Sequence, residues 1–82
     1  MFSWTENWPG WEMHPAGPEI VLCTSGRMIL HQEFPDGRIE TLTLEPGDYA
    51  INPPGVWHTA DVDGHATGVF VTVGEGTQGR PR

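Results

Sequence analysis

Closely spaced turn signals constrain this sequence more than any other feature. They are Pro35-Asp36-Gly37, Glu45-Pro46-Gly47-Asp48, Asn52-Pro53-Pro54-Gly55 and Asp63-Gly64. Proline presets one corner of a turn, glycine accepts a positive φ, and consecutive prolines cannot donate to a β-ladder. Turns about every 8–12 residues are typical of an all-β sandwich or barrel. The sequence therefore predicts an all-β fold without helices.

The runs between the turns have the composition of β-strands. Residues 20–24 are apolar and largely β-branched, and Ser25-Gly26 is predicted to end them in a turn. Residues 27–34 alternate, which predicts that Met28, Leu30, Gln32 and Phe34 face inward and that His31 faces solvent. Further strands are predicted at residues 38–44, 49–51, 56–62 and 66–73. Residues 11–73 are thus expected to form one barrel.

The two ends of the chain differ from this central part. Residues 1–10 contain Trp4 and Trp8, and they form either an edge strand or an exposed aromatic arm that packs on a neighbour. The sequence favours neither. Residues 74–82 have too little apolar surface to hold a fold by themselves, so they are predicted to be a C-terminal tail.

Length and charge bound the range of functions. A chain of 82 residues has room for one domain, and a domain of this size buries only about 60% of its unfolded surface. Contact with the surface of a partner would therefore stabilise the folded domain. Eleven acidic residues against four arginines give a net charge of −7, which argues against nucleic acid or an anionic membrane as a partner. No apolar run approaches the roughly 18 residues of a membrane span, and the N-terminus lacks the features of a signal peptide. The single cysteine, Cys23, is expected to be buried, and a reducing cytoplasm is the expected compartment.

Four side chains have the chemistry of a metal site. Glu12 and His14 are two residues apart, so on an extended strand they leave the same face. Glu19 follows the turn supplied by Pro15-Ala16-Gly17-Pro18, and His58 follows a later proline-glycine turn. Imidazole and carboxylate ligands suit iron, manganese, nickel and zinc. The sequence therefore predicts a site for a divalent transition metal, with Glu12, His14, Glu19 and His58 as candidate ligands.

The spacing of these residues resembles that of small cupins of the conserved-barrel type. Their first motif is G-x5-H-x-H-x(3,4)-E-x6-G, which is similar to Glu12-x-His14-x4-Glu19-x6-Gly26, with Glu12 in place of the first histidine. Their second motif is G-x5-P-x-G-x2-H-x3-N, which is similar to Gly47-x5-Pro53-x-Gly55-x2-His58, with Val62 in place of the asparagine. The resemblance implies a single small cupin barrel, or jelly roll, whose metal ligands point inward.

The resemblance implies a reaction class but no substrate, because small cupin barrels are similar to dioxygenases, isomerases, cyclases, lyases and regulatory modules alike. The first hypothesis is a metal-dependent enzyme that acts on a small organic substrate. The alternative is a non-catalytic barrel that binds or senses a small molecule, and a third reading is a barrel whose site has decayed. Glu19 is either a further ligand or, if burial raises its pKa, a general acid or base. The resemblance also implies a homodimer.

Overall fold

The computed structural model describes residues 2–82, and it confirms the all-β fold. Met1, the first residue of the predicted arm, lies outside the described residues. The strands are β1 (Phe2–Trp4), β2 (Gly10–Met13), β3 (Glu19–Glu33), β4 (Ile39–Leu44), β5 (Tyr49–Asn52), β6 (Trp57–Thr72) and β7 (Gln78–Pro81). They form one antiparallel sheet. Within residues 2–82, no helix has the length and apolar character that a membrane crossing requires.

The long strands β3 and β6 form the frame of the barrel. They pair from Glu19↔Thr72 at one end to Glu33↔Trp57 at the other. The shorter strands extend this pair on both sides: β5 pairs with the first half of β3 and β4 with its second half, while β1 and β2 pair with β6. β7 pairs with β2 and completes the sheet. The ladder by itself puts Glu19 and His58 at opposite ends of the β3–β6 pair, and it is the rolling of the sheet that brings their side chains to 3.1 Å from each other.

Gly26 lies where the β3–β6 ladder is irregular. The register shifts between Cys23 and Ser25 and again between Gly26 and Met28, which identifies a β-bulge. Gly26 has a φ of +75°, and a Cβ atom there would lie 2.0 Å from the carbonyl oxygen of His65. Only glycine fits this close approach of two strands. The glycine that ends the first motif therefore has a structural reason to be there.

Two predicted turns prove to be irregularities inside long strands. Ser25-Gly26 lies within β3, which joins the runs predicted as separate strands at residues 20–24 and 27–34. Asp63-Gly64 lies within β6 and likewise joins two predicted strands. Glycine marks both bulges and turns. Local sequence therefore could not distinguish a strand that bends from one that ends.

The core lies between the inner faces of the sheet. Met28 and Leu30 are completely buried and Gln32 is 3% exposed, which confirms the inward face predicted for this run. Cys23 is buried as a free thiol, as expected, and burial raises its pKa. The buried apolar cluster consists of Trp4, Val21, Cys23, Met28, Leu30, Leu44, Ala50, Ala60 and Ala66.

Both ends of the chain join the sheet. β1 pairs with β6 through Phe2↔Gly68 and Trp4↔Ala66, and Trp4 is 9% exposed, so this segment is an edge strand of its own barrel rather than an exposed arm. The prediction of a simple tail at residues 74–82 was wrong for its second half, because β7 pairs with β2 along its length. Backbone hydrogen bonds hold β7 there, and its shortage of apolar side chains concealed this.

Candidate metal centre

Glu12, His14 and His58 come together at one end of the barrel. β2 places Glu12 directly opposite His58 of β6, and His14 follows β2 by one residue. Each of the three offers a ligand atom that lies within 4.8 Å of the other two. Two ligand atoms bound to one ion at about 2.1 Å each are at most about 4.2 Å apart, so closure requires only small side-chain movements. Both imidazoles are buried, and Glu12 is exposed.

The buried imidazole nitrogens are poorly satisfied. Among residues 2–82, Nδ1 of His58 is buried without a hydrogen bond, and the Nε2 atoms of His14 and His58 have only the Glu19 carboxylate oxygens beside them, at 3.1 Å. Buried polar atoms of native proteins are nearly always paired with protein, water or an ion. The donor set of two imidazoles and a carboxylate also matches the preferences of divalent transition metals. These residues therefore fit a metal ion.

Thr77 fixes the orientation of the His14 ring. Its hydroxyl oxygen lies 2.8 Å from Nδ1 of His14, and the same hydroxyl donates to the carbonyl oxygen of Gly74 at 2.8 Å. Since the hydroxyl proton is used on Gly74, the network assigns the proton of this contact to Nδ1 of His14. Nε2, which lies 3.1 Å from a Glu19 oxygen, then carries the lone pair of the neutral ring, and this tautomer is typical of histidine ligands.

Glu19, the first residue of β3, lies against both imidazoles. Its two carboxylate oxygens are each 3.1 Å from an Nε2 atom, one of His14 and one of His58. Asn52 donates an amide N–H to one oxygen at 3.0 Å, and Thr72 donates its hydroxyl to the other. The structure thus brings all four candidate ligands into one neighbourhood, with Glu19 on the barrel side of the two rings.

The pKa of Glu19 is lowered to about 2, the opposite of the shift that the sequence led us to expect for an unbound carboxyl. Burial by itself would raise the pKa. The contact with His58 and the hydrogen bonds from Thr72 and Asn52 stabilise the ionised form and outweigh burial. Glu19 is therefore an anion at neutral pH, which suits a ligand or a hydrogen-bond acceptor better than a general acid.

Gln32 and Asn52 support Glu19 from the core, and sequence reasoning assigned neither to the site. Gln32 donates to the side-chain oxygen of Asn52 at 2.8 Å and to the carbonyl of Ile51 at 2.9 Å. The Asn52 oxygen is thereby occupied, and its amide N–H groups face Glu19. The available signal was Gln32 itself, a polar residue on the inward face between apolar ones. Asn52 lies in a turn motif, which concealed its role, and nothing in the local sequence marks Thr72 or Thr77 as part of the site.

A cavity of about 660 Å³ opens onto these residues. Its polar lining includes Glu12, His14 and Glu19, together with Thr72 and Thr77. Its apolar lining is formed by Phe2, Trp8, Pro9 and Phe70. A volume in the range of about 300–1,000 Å³ is typical of small-molecule sites. The candidate metal centre is therefore open to an organic ligand.

Arg80 attaches β7 to the rest of the barrel. Its guanidinium lies over the rings of Trp11 and Trp57, at 5.1 and 4.7 Å from their centroids, and pairs with Glu33 at 2.6 Å. The two tryptophans, each of which precedes a candidate ligand in the sequence, thus pack around a cation. This contact holds the segment that also carries Thr77.

The fold and the arrangement of ligands define a small β-barrel protein with a candidate His/carboxylate site. The chain belongs to the cupin family, because the sequence profile of the Cupin domain matches residues 5–74.

Solved structures agree with this assignment. A structure of oxalate oxidase is similar with a TM-score of 0.77 and 18% identity, over 92% of this chain and 41% of that one. Peruvianin-I, described as a cysteine peptidase from Thevetia peruviana latex, is similar with a TM-score of 0.72 and 24% identity, over 93% of this chain and 50% of that one. This chain thus spans half or less of the structures it matches, and the likeness shows the fold alone. The comparison with curated proteins gives no match.

Proposed function

We propose that this cupin is a metal-dependent enzyme that acts on a small organic substrate. Glu12, His14 and His58 would hold a divalent ion, with iron, manganese, nickel and zinc as the candidates. The observation that carries the proposal is the convergence of two buried imidazoles and the Glu12 carboxylate beside a cavity, with ligand atoms within 4.8 Å of one another. Such an ion supplies a Lewis acid or a site for O₂ when bound.

The surrounding side chains have separate roles in this proposal. Thr77 keeps the Nε2 lone pair of His14 available, and Glu19 lies ionised beside both rings. Glu19 is the further candidate ligand. As a catalytic residue it would instead accept a hydrogen bond from a hydroxyl or amide of the substrate and so orient that group. The lowered pKa supports these roles over that of a general acid.

Metal analysis of the purified protein tests the proposal. Stoichiometric Fe, Mn, Ni or Zn that is lost in His14→Ala and His58→Ala would support it. His31→Ala is the matched control, because His31 is also hydrogen-bonded to a threonine and paired with a carboxylate, but on the outside of the barrel. A protein that stays metal-free after incubation with each of the four ions, and keeps its fold, would refute the enzyme reading.

The second candidate is a non-catalytic barrel that binds or senses a small molecule. It is favoured by the 3.1 Å contacts of Glu19 with both imidazoles, since these contacts hold the three side chains together without an ion. Small-molecule binding by a metal-free protein with an intact fold would support it. If His14→Ala and His58→Ala change only the stability and neither metal nor ligand binding is found, the site has decayed.

We also propose that two copies associate through the outer face of β5, β3 and β6. Ile51, Ile20 and Val71 lie side by side across these three strands and are 44–60% exposed. Tyr49 extends the row and is 66% exposed. This face presents no charged side chain along the row although the chain carries a net charge of −7, so two copies can meet there without burying a charge. Trp4, the earlier candidate for exchange between copies, is in the core of its own chain.

A further inference from the structure

The walls of the cavity differ in chemistry from one end to the other. Phe70 contacts both Trp8 and Phe2, with 5.7 Å and 6.4 Å respectively between ring centroids. Trp8 also lies 6.3 Å from the ring of His58, so the aromatic wall runs from the surface to the candidate metal centre. Phe2 is 52% exposed at the outer end. A flat apolar molecule lying on this wall would cover ring surface that now faces solvent.

The charges of the cavity are unbalanced. Glu12 and Glu19 contribute two carboxylates, and of the described lining residues only Arg80 is a cation. Its guanidinium is already paired with Glu33 at 2.6 Å and enclosed by two tryptophan rings. Without an ion, an added carboxylate would be repelled by Glu12 and Glu19 in a partly apolar space. With a divalent ion the formal charges of the ion and the two carboxylates sum to zero, so no surplus positive charge would be left for an anionic ligand.

We propose that the cavity binds neutral aromatic molecules that carry an oxygen donor, and that it discriminates against carboxylates. The ring of the ligand lies on Phe2, Trp8 and Phe70, and its oxygen donor points toward Glu12, His14 and His58. This inference rests on the proposed function for the position of the oxygen donor, while the aromatic wall and the lack of surplus positive charge hold with or without an ion.

The test compares benzamide, benzoate and acetamide, with the indole N–H resonance of Trp8 in NMR spectra as the reporter. Benzamide and benzoate share a ring and differ in charge, whereas benzamide and acetamide share the amide and differ in the ring. Benzamide is expected to bind at least about tenfold more tightly than either of the others. The titrations use the metal-free protein and the protein loaded with Zn²⁺.

Phe2→Ala tests the aromatic wall, because Phe2 is half exposed and, although it stacks on Trp4, does not itself belong to the buried cluster. It is expected to weaken benzamide binding about threefold to tenfold and to leave acetamide unchanged. Ile39→Ala is the matched control, since Ile39 is similarly exposed, at 55%, and does not line the cavity. Benzoate binding as tightly as benzamide, acetamide binding as tightly as benzamide, no effect of Phe2→Ala, or no binding of any probe would each overturn the inference.

The two proposals fail separately. If benzamide is preferred but the protein takes up no metal, the ligand class stands and the metal-dependent function fails. If Zn²⁺ is held by the wild-type protein and lost in His14→Ala, but benzoate is preferred, the metal site stands and the ligand class is refuted.

Discussion

Replacing Thr77 by valine is the sharpest test of the proposed metal centre. Valine keeps the shape of threonine and removes the hydroxyl that accepts from Nδ1 of His14 at 2.8 Å. The His14 ring then loses the contact that fixes both its rotation and the position of its proton. Valine also removes the hydrogen bond from this hydroxyl to the carbonyl oxygen of Gly74, so a change in metal affinity is read together with the tautomer of His14.

The magnitude follows from this contact. Loss of a hydrogen bond that orients a histidine ligand costs about 10–100-fold in metal affinity, or about 1.4–2.7 kcal/mol. The same range is expected for a buried N–H group left without a partner, about 1–3 kcal/mol. Thr77→Val is therefore expected to raise the Kd for Zn²⁺ about 10–100-fold.

The assay is a titration with Zn²⁺ in competition with a chelator, together with ¹⁵N-edited NMR spectra that identify the histidine tautomers. Thr41→Val is the control, because the Thr41 hydroxyl lies 2.9 Å from Nδ1 of His31 in the same kind of pair outside the site. It is expected to leave Zn²⁺ affinity unchanged. An unaltered Kd in Thr77→Val, with the His14 tautomer also unaltered, would refute the role assigned to Thr77.

Three other predictions concern stability and assembly. Gly26→Ala is expected to lower the free energy of unfolding by more than about 2 kcal/mol in chemical denaturation. Gly37→Ala is the control and should lower it less, because Gly37 has a similar positive φ but open space around it. Equal losses of stability would contradict the role of the close approach at Gly26. The pKa of Glu19 is about 2 in the folded state, against an ordinary value of 4.5. Ionised Glu19 is therefore expected to stabilise the folded state by about 3 kcal/mol above about pH 4.5, and this contribution is lost as the pH falls toward 2. Glu19→Gln should flatten this acid limb in unfolding curves of the metal-free protein, and an unchanged limb would contradict the assignment. Ile51→Lys is expected to convert the proposed dimer to a monomer in analytical ultracentrifugation. Ile39→Lys should not, because Ile39 is exposed but lies away from the apolar row. A monomeric wild-type protein at micromolar concentration would refute the dimer.

The fold was predictable because its signals are local. Pro35-Asp36-Gly37 and Asn52-Pro53-Pro54-Gly55 lie between strands as expected, and the alternation of residues 27–34 placed Met28 and Leu30 in the core. Each of these signals depends on a few neighbouring residues, whose backbone preferences are strong. The positions where two long strands bend without ending depend instead on what lies across the sheet. At Gly26 that neighbour is the carbonyl oxygen of His65.

The sequence predicted only those residues of the candidate site whose own side chains can bind a metal. Glu12, His14 and His58 were chosen as ligand types at a familiar spacing, and the structure brings their ligand atoms together. Asn52 and Thr77 act through other residues and are ordinary polar side chains in turn-rich sequence. Their partners lie 33 and 63 positions away, so their roles depend on strand register and on rotamers. A pattern of residue types does not determine either.

The final strand, β7, helps to position two of the proposed metal ligands. β7 buries little apolar surface, so its attachment depends on its ladder with β2 and on Arg80, which contacts Trp11, Trp57 and Glu33. The turn that enters β7 carries Thr77, and β2, on which β7 lies, carries Glu12. The same ladder therefore fixes the position of one proposed ligand directly and of His14 through Thr77. Because the segment is held by polar and cation–π contacts and not by an apolar core, the order of the candidate centre depends on these few contacts more than on the stability of the β3–β6 frame.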